Sequence, residues 1–398
     1  KKHAASCVHQ AEGQLKHRFV TPTYAVKAGA DDQSDLPKRS SVGHYLQMYD
    51  WDACFFAQAA KHIHIYGLPP EVVANFLDLK DSDGHIPRTI SPQRIWDAGD
   101  NCKPFLCQTA LAGLKEKNNL EISDPLLLEK LSAYLKFFET NRRNKNGLFH
   151  WRNVLESGVD DNLALLYPRE AAKDEDKSVQ EFPDGRLLAV DLSTYIFCEY
   201  KALAELSLIF GNQSLAEQSL HKAEVIQNAI ENLCWNEKIE MYSNLDPEDD
   251  SLVPIRAWTG MMPALLGLAS PERREQVFKQ NLLNEKQFFR PAGMSSVAAS
   301  EPLYNNAVRG LYGRAIVSHW QGPVWVLSNA LAVRALLQND MKKEAQQLSM
   351  AMLSTLNADL EKSGTLHENY HAETAAALWA PQFMSWNILA LEMIEILS

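Results

Sequence analysis

Three stretches of the chain are apolar or small on nearly every face, and no other feature restricts the fold so tightly. They are "ACFFAQAAKHI" after Asp52, "GPVWVLSNALAVRALL" after Gln321 and "AAALWAPQFMSWNILALEMI" after Thr374. A helix without a polar face has no side to turn toward water, so other elements must enclose it. Between these stretches run helices of a different kind. In "SDPLLLEKLSAYLKFFET", Asp124 is placed to cap, Pro125 suits a first helical position, and Leu127, Leu128, Leu131, Leu135 and Phe138 form one stripe. In "SLAEQSLHKAEVIQNAIENLCW" the apolar positions Leu215, Leu220, Ala223, Ile226, Ile230 and Leu233 also fall at helical spacing, with polar residues opposite.

Counting both kinds gives about a dozen helices, enclosed ones alternating with half-exposed ones, and strand-like alternation is scarce. The enclosed helices are introduced by loops rich in Trp, Asp, Glu and Asn. That order predicts two concentric rings, an all-α (α/α)6 barrel, as a single domain over residues 44–398 with an irregular arm, 1–43, covering one end. No short repeat of fixed period supports an open solenoid. The acidic, proline-interrupted stretch 171–186 reads either as a lid beside the mouth or as a solvated surface loop.

Charge excludes some partners. A formal net charge of −11 and a pI near 5.6 disfavour a nucleic-acid surface, which needs clustered Lys and Arg to displace counterions. No run of 18 apolar residues spans a membrane and no charged-then-apolar leader opens the chain, which starts at Lys1 rather than at a methionine. The six cysteines, Cys7, Cys54, Cys102, Cys107, Cys198 and Cys234, show neither metal spacing nor a dense disulfide framework. Reduced, buried thiols in a cytoplasmic protein acting on a small neutral ligand are the expectation.

The loops hold the chemistry. Phosphate cradles and a serine elbow are absent, and "DSDGH" at 81–85 fails as an EF-hand because Leu79 and Ile90 occupy the first and last ligand positions. His62 and His64 lack further ligands and read as structural or exposed. What recurs is carboxylate beside tryptophan: Trp51 and Asp52 in "MYDWDACF", Trp151, Glu156, Asp160 and Asp161 in "FHWRNVLESGVDDN", Trp320 and Trp325 in "SHWQGPVW", and Glu368 in "HENYHAE". Indole faces stack on pyranose C–H surfaces, and glycoside hydrolysis needs one carboxyl group to protonate the leaving oxygen and another to act opposite it. Singly, each has a simpler use: a Trp at a helix start packs in cores, and Asp52 or Asp160 serves as a cap.

One competing pattern is His367-Glu368-Asn369-Tyr370-His371, which matches the H-E-x-x-H of zinc peptidases. Two histidines four apart share a metal only from one face of a helix. Gly364, Asn369 and Tyr370 argue instead for a loop, with a helical run starting at the alanines after Thr374. Glu392 serves as a third ligand only if that loop is helical. No metal and no organic cofactor is implied.

Taken together, the loops resemble those of the inverting α-glycosidases of glycoside hydrolase families 63 and 37, which include glucosylglycerate and mannosylglycerate hydrolases and trehalases. "GHYLQMYDWDAC" is similar to the trehalase signature G-R-F-x-E-x-Y-x-W-D-x-Y, keeping Gly43, Tyr49, Trp51 and Asp52. "ESGVDDN" resembles E-S-G-x-D, "HWQGPVW" resembles W-R-G-P-V-W, and "HENYHAET" resembles E-N-Y-x-x-E-T. Four motifs in order cover residues 43–374. The resemblance implies a general acid at Asp160, a water-activating base at Glu368, His367 and His371 as incidental, and a sugar subsite of Tyr49, Trp51, Asp52, Trp151, Trp320, Gln321 and Trp325. Asp160 is then expected to be protonated at rest and Glu368 ionised.

His44 and Gln47 replace the trehalase Arg and Glu, Gln321 replaces an Arg, and "NCKPF" with Lys103 stands where trehalases carry Gln-Pro-Pro. A lysine at the mouth suits a charged aglycone, so glucosylglycerate or mannosylglycerate is the leading substrate, with trehalose the alternative. A 2-epimerase on the same barrel would use His319, His367 and His371.

Overall fold

The computed structural model describes residues 1–24, 45–116, 124–167, 186–307, 309–311, 314–316 and 318–397. Gly43, His44 and all of the 171–186 stretch except Arg186 lie outside the described residues; Arg186 itself pairs with Asp246 at 2.8 Å.

Six helical elements form a closed inner ring: Asp50–Ala59, Leu106–Leu114, Val190–Ile209, the short pair Trp258–Met261 and Met262–Leu265, Val326–Gln338, and Trp386–Leu389 with Ala390–Leu397. Each touches the next, and the last returns to the first. The outer layer holds Leu68–Leu77, Leu127–Asn141, Gln213–Leu233, Pro271–Leu282 and Lys342–Ser363, set against their inner neighbours. The fold is an (α/α)6 barrel.

The enclosed stretches behave as their composition requires. In Asp50–Ala59 every residue except Gln58 is buried, and Val326–Gln338 is buried along most of its length. One apolar core runs through both layers from Ala4 to Met393. The outer helices bury one face: in Gln213–Leu233 the buried side is Ala216, Ser219, Ala223, Ile226 and Ile230, whereas Leu220 and Leu233 of the expected stripe lie 41% and 36% exposed.

Three local expectations are corrected. The helix assigned to Pro125 onward starts at Leu127, because Asp124 accepts the Leu126 N–H at 2.8 Å and pairs with Lys130. The expected helix after Thr374 starts only at Trp386. Ahead of it, Ala377–Trp379 is a strand paired with Asn369–Tyr370. Ala375, Ala380 and Gln382 adopt φ of 58°, 41° and 65°, and Pro381 disfavours helix at its predecessor. The arm is not wholly irregular either: Val8–His9 pairs with Phe19–Val20, and Thr23 bridges to Phe383.

Candidate active site

Residues that open the inner helices meet at one end of the barrel. Trp51, Trp258, Trp325 and Trp386 stand at or just before the starts of four of them, and Trp320 touches all four indoles. Trp320 and Trp325 lie parallel, 3.9 Å apart at 4°, with Trp258 on the other side of Trp320 at 5.0 Å and 16°. Helix starts carry partial positive charge, so this end of the ring favours anionic side chains.

Carboxyl groups sit beside this indole cluster. Glu368 is 5% exposed and accepts the Tyr45 hydroxyl at 3.1 Å; Asp52, 7% exposed, accepts the Ser385 hydroxyl at 2.7 Å. Burial first, and then the nearby Asp52 and Asp160 charges, push the Glu368 carboxyl up to about 8, against opposing bonds from Ser318 and Tyr45. Burial likewise carries Asp52 to about 7, with Asp50 adding to the rise and Ser385, Lys103 and Arg88 resisting it. This shift favours the protonated form of Glu368, against the expectation that it is ionised at rest. The cause is physical: full burial next to two other acids disfavours a further negative charge.

The segment carrying Glu368 is extended, not helical. Asn369–Tyr370 is a strand, Glu368 N–H reaches Trp379 O at 2.9 Å and Tyr370 pairs with Val324. His367 and His371 therefore do not share a helical face. Nor is Glu392 near to them in role: it forms a two-pronged pair with Arg334, both distances 2.7 Å. Yet His367 is not incidental. Its Nδ1 meets Asp359 at 2.9 Å, its N–H donates to the same carboxylate at 3.1 Å, and Asn387 donates to its carbonyl at 2.7 Å. Tyr370 OH also reaches Asp359 at 2.9 Å. Asp359, on an outer helix, thus anchors the residues flanking Glu368.

Asp160 is held through its neighbours. Its carbonyl accepts the Trp320 N–H at 3.0 Å, while Gln321 donates its side-chain amide to the Asp161 carbonyl at 2.8 Å; Asp161 has φ 60°. Upstream, Glu156 is wholly buried, paired with Arg142 at 2.9 Å and accepting the Asn101 N–H at 3.0 Å. This glutamate therefore shapes the loop.

Of the residues expected in the site, Tyr49, Trp51, Asp52, Trp320, Trp325 and Glu368 are brought together, with Asp160 in electrostatic reach. Tyr49 donates to Gln47 at 3.1 Å and meets Tyr45 edge-on. Trp320 and Trp325 cover each other's faces instead of standing as two free platforms. Gln321 ties down a loop, and Trp151 is fully buried with its indole N–H on Asp191 at 3.1 Å. Lys103 is corrected most: it has no exposure at all and its ammonium contacts Asp50 at 2.9 and 3.0 Å, so it is not a free cation at the mouth. Tyr45, Ser385, Asp359 and Arg88 were not picked out from the sequence. Tyr45 alone had a signal there, four residues before Tyr49 in the first motif.

A family model described as the mannosylglycerate hydrolase MGH1-like glycoside hydrolase domain matches residues 45–386. The chain belongs to that family. Among similar proteins is the mannosyl-oligosaccharide glucosidase of Saccharomyces cerevisiae, 21% identical over 280 residues, 63% of this chain but 30% of the relative. The chain thus spans under a third of that enzyme. A periplasmic trehalase of Escherichia coli O1:K1 is 21% identical over 419 residues, covering 91% of this chain and 69% of the trehalase. The crystal structure of the family 63 mannosylglycerate hydrolase from Thermus thermophilus with Tris and D-glycerate superposes with a TM-score of 0.72 at 16% identity, over 98% of each chain. The family is one of glycoside hydrolases, and none of the chain's described helices is long and apolar enough to cross a membrane.

Proposed function

We propose that the protein is an inverting, exo-acting α-glycosidase for small α-glucosides or α-mannosides, with glucosylglycerate or mannosylglycerate as the foremost substrates. The observation that carries the reading is Glu368: a buried carboxyl group, gripped by Tyr45, within the field of Asp52 and Asp160, beside a cluster of indoles. Asp160 is the proton donor to the glycosidic oxygen, and Glu368 holds and deprotonates the attacking water. Trp51 and Asp52 grip the sugar. The productive form carries one proton on the Asp160–Glu368 pair, located on Asp160. The Asp160 and Glu368 charges act on each other, so the two carboxyl groups titrate as a unit.

The glycerate preference draws support from the family match and from the D-glycerate in the Thermus neighbour's crystal, and no longer from Lys103. Arg88, which acts on both Asp52 and Lys103, is a further cation that bears on this end of the site. Trehalose is the second reading, favoured by the likeness to trehalase over 91% of the chain. An epimerase gains nothing from the histidines: His319 serves Ala307 O and Gln321 N–H, His367 serves Asp359, and His371 Nδ1 accepts the Glu373 N–H.

The test is a panel of α-linked disaccharides and of glucosyl- and mannosylglycerate, scored for free hexose. Hexose and glycerate in equal amounts support the leading reading, and glucose from trehalose alone selects the alternative. A product of unchanged mass overturns both.

A further inference from the structure

Lys103 and Asp50 stand out because an ion pair withdrawn this fully from water costs desolvation that apolar residues would avoid, so it calls for an explanation beyond stability. Neither side chain has any exposure. Asp50 also accepts the Lys103 N–H at 2.9 Å and the Trp51 N–H at 2.8 Å, and Tyr134 OH donates to the Lys103 carbonyl at 2.6 Å. Backbone and side chain of Lys103 are thus both fixed.

Two site segments rest on this one side chain. Its ammonium lies 4.9 Å from the centre of the Trp51 ring. Gly158, two residues before Asp160, also lies against Lys103. A Cβ placed on Gly158 would come within 2.5 Å of Lys103 Cε, 2.8 Å of its Nζ and 3.1 Å of Trp51 Cζ2. Gly158 has φ 70°, so the loop turns down onto the lysine and the indole at the point where a side chain cannot fit. We infer that Lys103, locked by Asp50, is a positioning residue that sets the height of the Asp160 loop over Trp51 and so the aim of the acid at the glycosidic oxygen. Lys103 touches the acid loop and the sugar floor at once, and it stands where trehalases have the Gln-Pro-Pro run.

This inference rests on Asp160 being the proton donor. Lys103→Met alone strands Asp50 as a buried, unpaired charge and endangers the fold. The informative variant is therefore the charge-neutral double substitution Asp50→Asn with Lys103→Met, its folding checked by thermal melting. Two substrates are compared: the O-glycoside that the panel shows to be cleaved, and the corresponding α-glycosyl fluoride, whose leaving group needs little protonation. Misplacing the acid should lower kcat on the O-glycoside by roughly 100-fold, with KM changed less than about threefold, and on the fluoride by less than about fivefold. Equal losses on both substrates, or a wild-type rate on the O-glycoside, overturn the role given to Lys103. Asp160→Asn is run alongside. If it shows the selective loss and the double variant does not, the inference about Lys103 fails alone; if Asp160→Asn lacks it, the acid assignment fails first.

Discussion

Replacing Glu368 by glutamine should abolish turnover and at the same time make the protein more stable. Burial and the neighbouring carboxyl groups raise Glu368 from 4.5 to about 8. In the unfolded chain it titrates near its ordinary value. Below about 4.5 both states hold the proton and the group's contribution to stability is fully present. Between that pH and about 8 the native state binds the proton that the unfolded state has released, so stability falls as pH rises through this window. One unit corresponds to about 1.36 kcal/mol, so the stretch from 4.5 to neutrality amounts to roughly 3 kcal/mol. The side chain is almost wholly buried, so solvent screening takes little from this figure.

Glutamine removes this titration while still accepting the Tyr45 hydroxyl. With an unfolding entropy of about 2.1 cal/mol/K per residue over this chain, Tm should rise by roughly 4 °C at pH 7 and by nearly nothing at pH 4. Scanning fluorimetry of both proteins in matched buffers from pH 4 to 9, with hexose release assayed on the same samples, measures it. A gap that does not vary with pH, or a glutamine variant less stable at pH 8, would show that Glu368 is not a strained acid.

Three further outcomes are expected. Asp160→Asn should lower kcat by several orders of magnitude while substrate still binds, and Asp161→Asn far less, since the proton-donor role falls on Asp160; kcat and KM on the cleaved substrate decide. Proton NMR of a fresh digest should show the β-anomer first, because a single displacement across the ring inverts an α-linkage; an initial α-anomer refutes the base role of Glu368. Exhaustive chelation should leave the rate intact, and loss of activity with recovery on adding zinc would restore the metal reading of His367 and His371.

The barrel was legible in the sequence because enclosure leaves a mark that outer packing does not: Asp50–Ala59 and Val326–Gln338 carry no broad polar face. The site motifs were legible as tryptophan beside carboxylate. What failed to show were partnerships set by the ring rather than by neighbours in sequence. Lys103 looked like a surface cation, since nothing local reveals that Asp50, 53 positions earlier, lies against it. Asp359 sits on a helix with an unremarkable polar pattern, and its bonds to His367 and Tyr370 exist only once that helix packs. The stretch after Thr374 misled for the opposite reason: its apolar residues mimic an enclosed helix, while Pro381 and three left-handed residues turn it into a strand and a bend.

The stack of Trp258, Trp320 and Trp325 also gives the molecule an optical property. Indoles held parallel at 3.9 Å are close enough for their electronic transitions to couple, which splits the near-ultraviolet circular dichroism into paired bands of opposite sign and quenches emission. The same stack adjoins Trp51, so a ligand that shifts that ring changes the coupling. The native chain thus carries its own dye at the mouth of the barrel, and binding to a variant that no longer turns over can be followed by light alone.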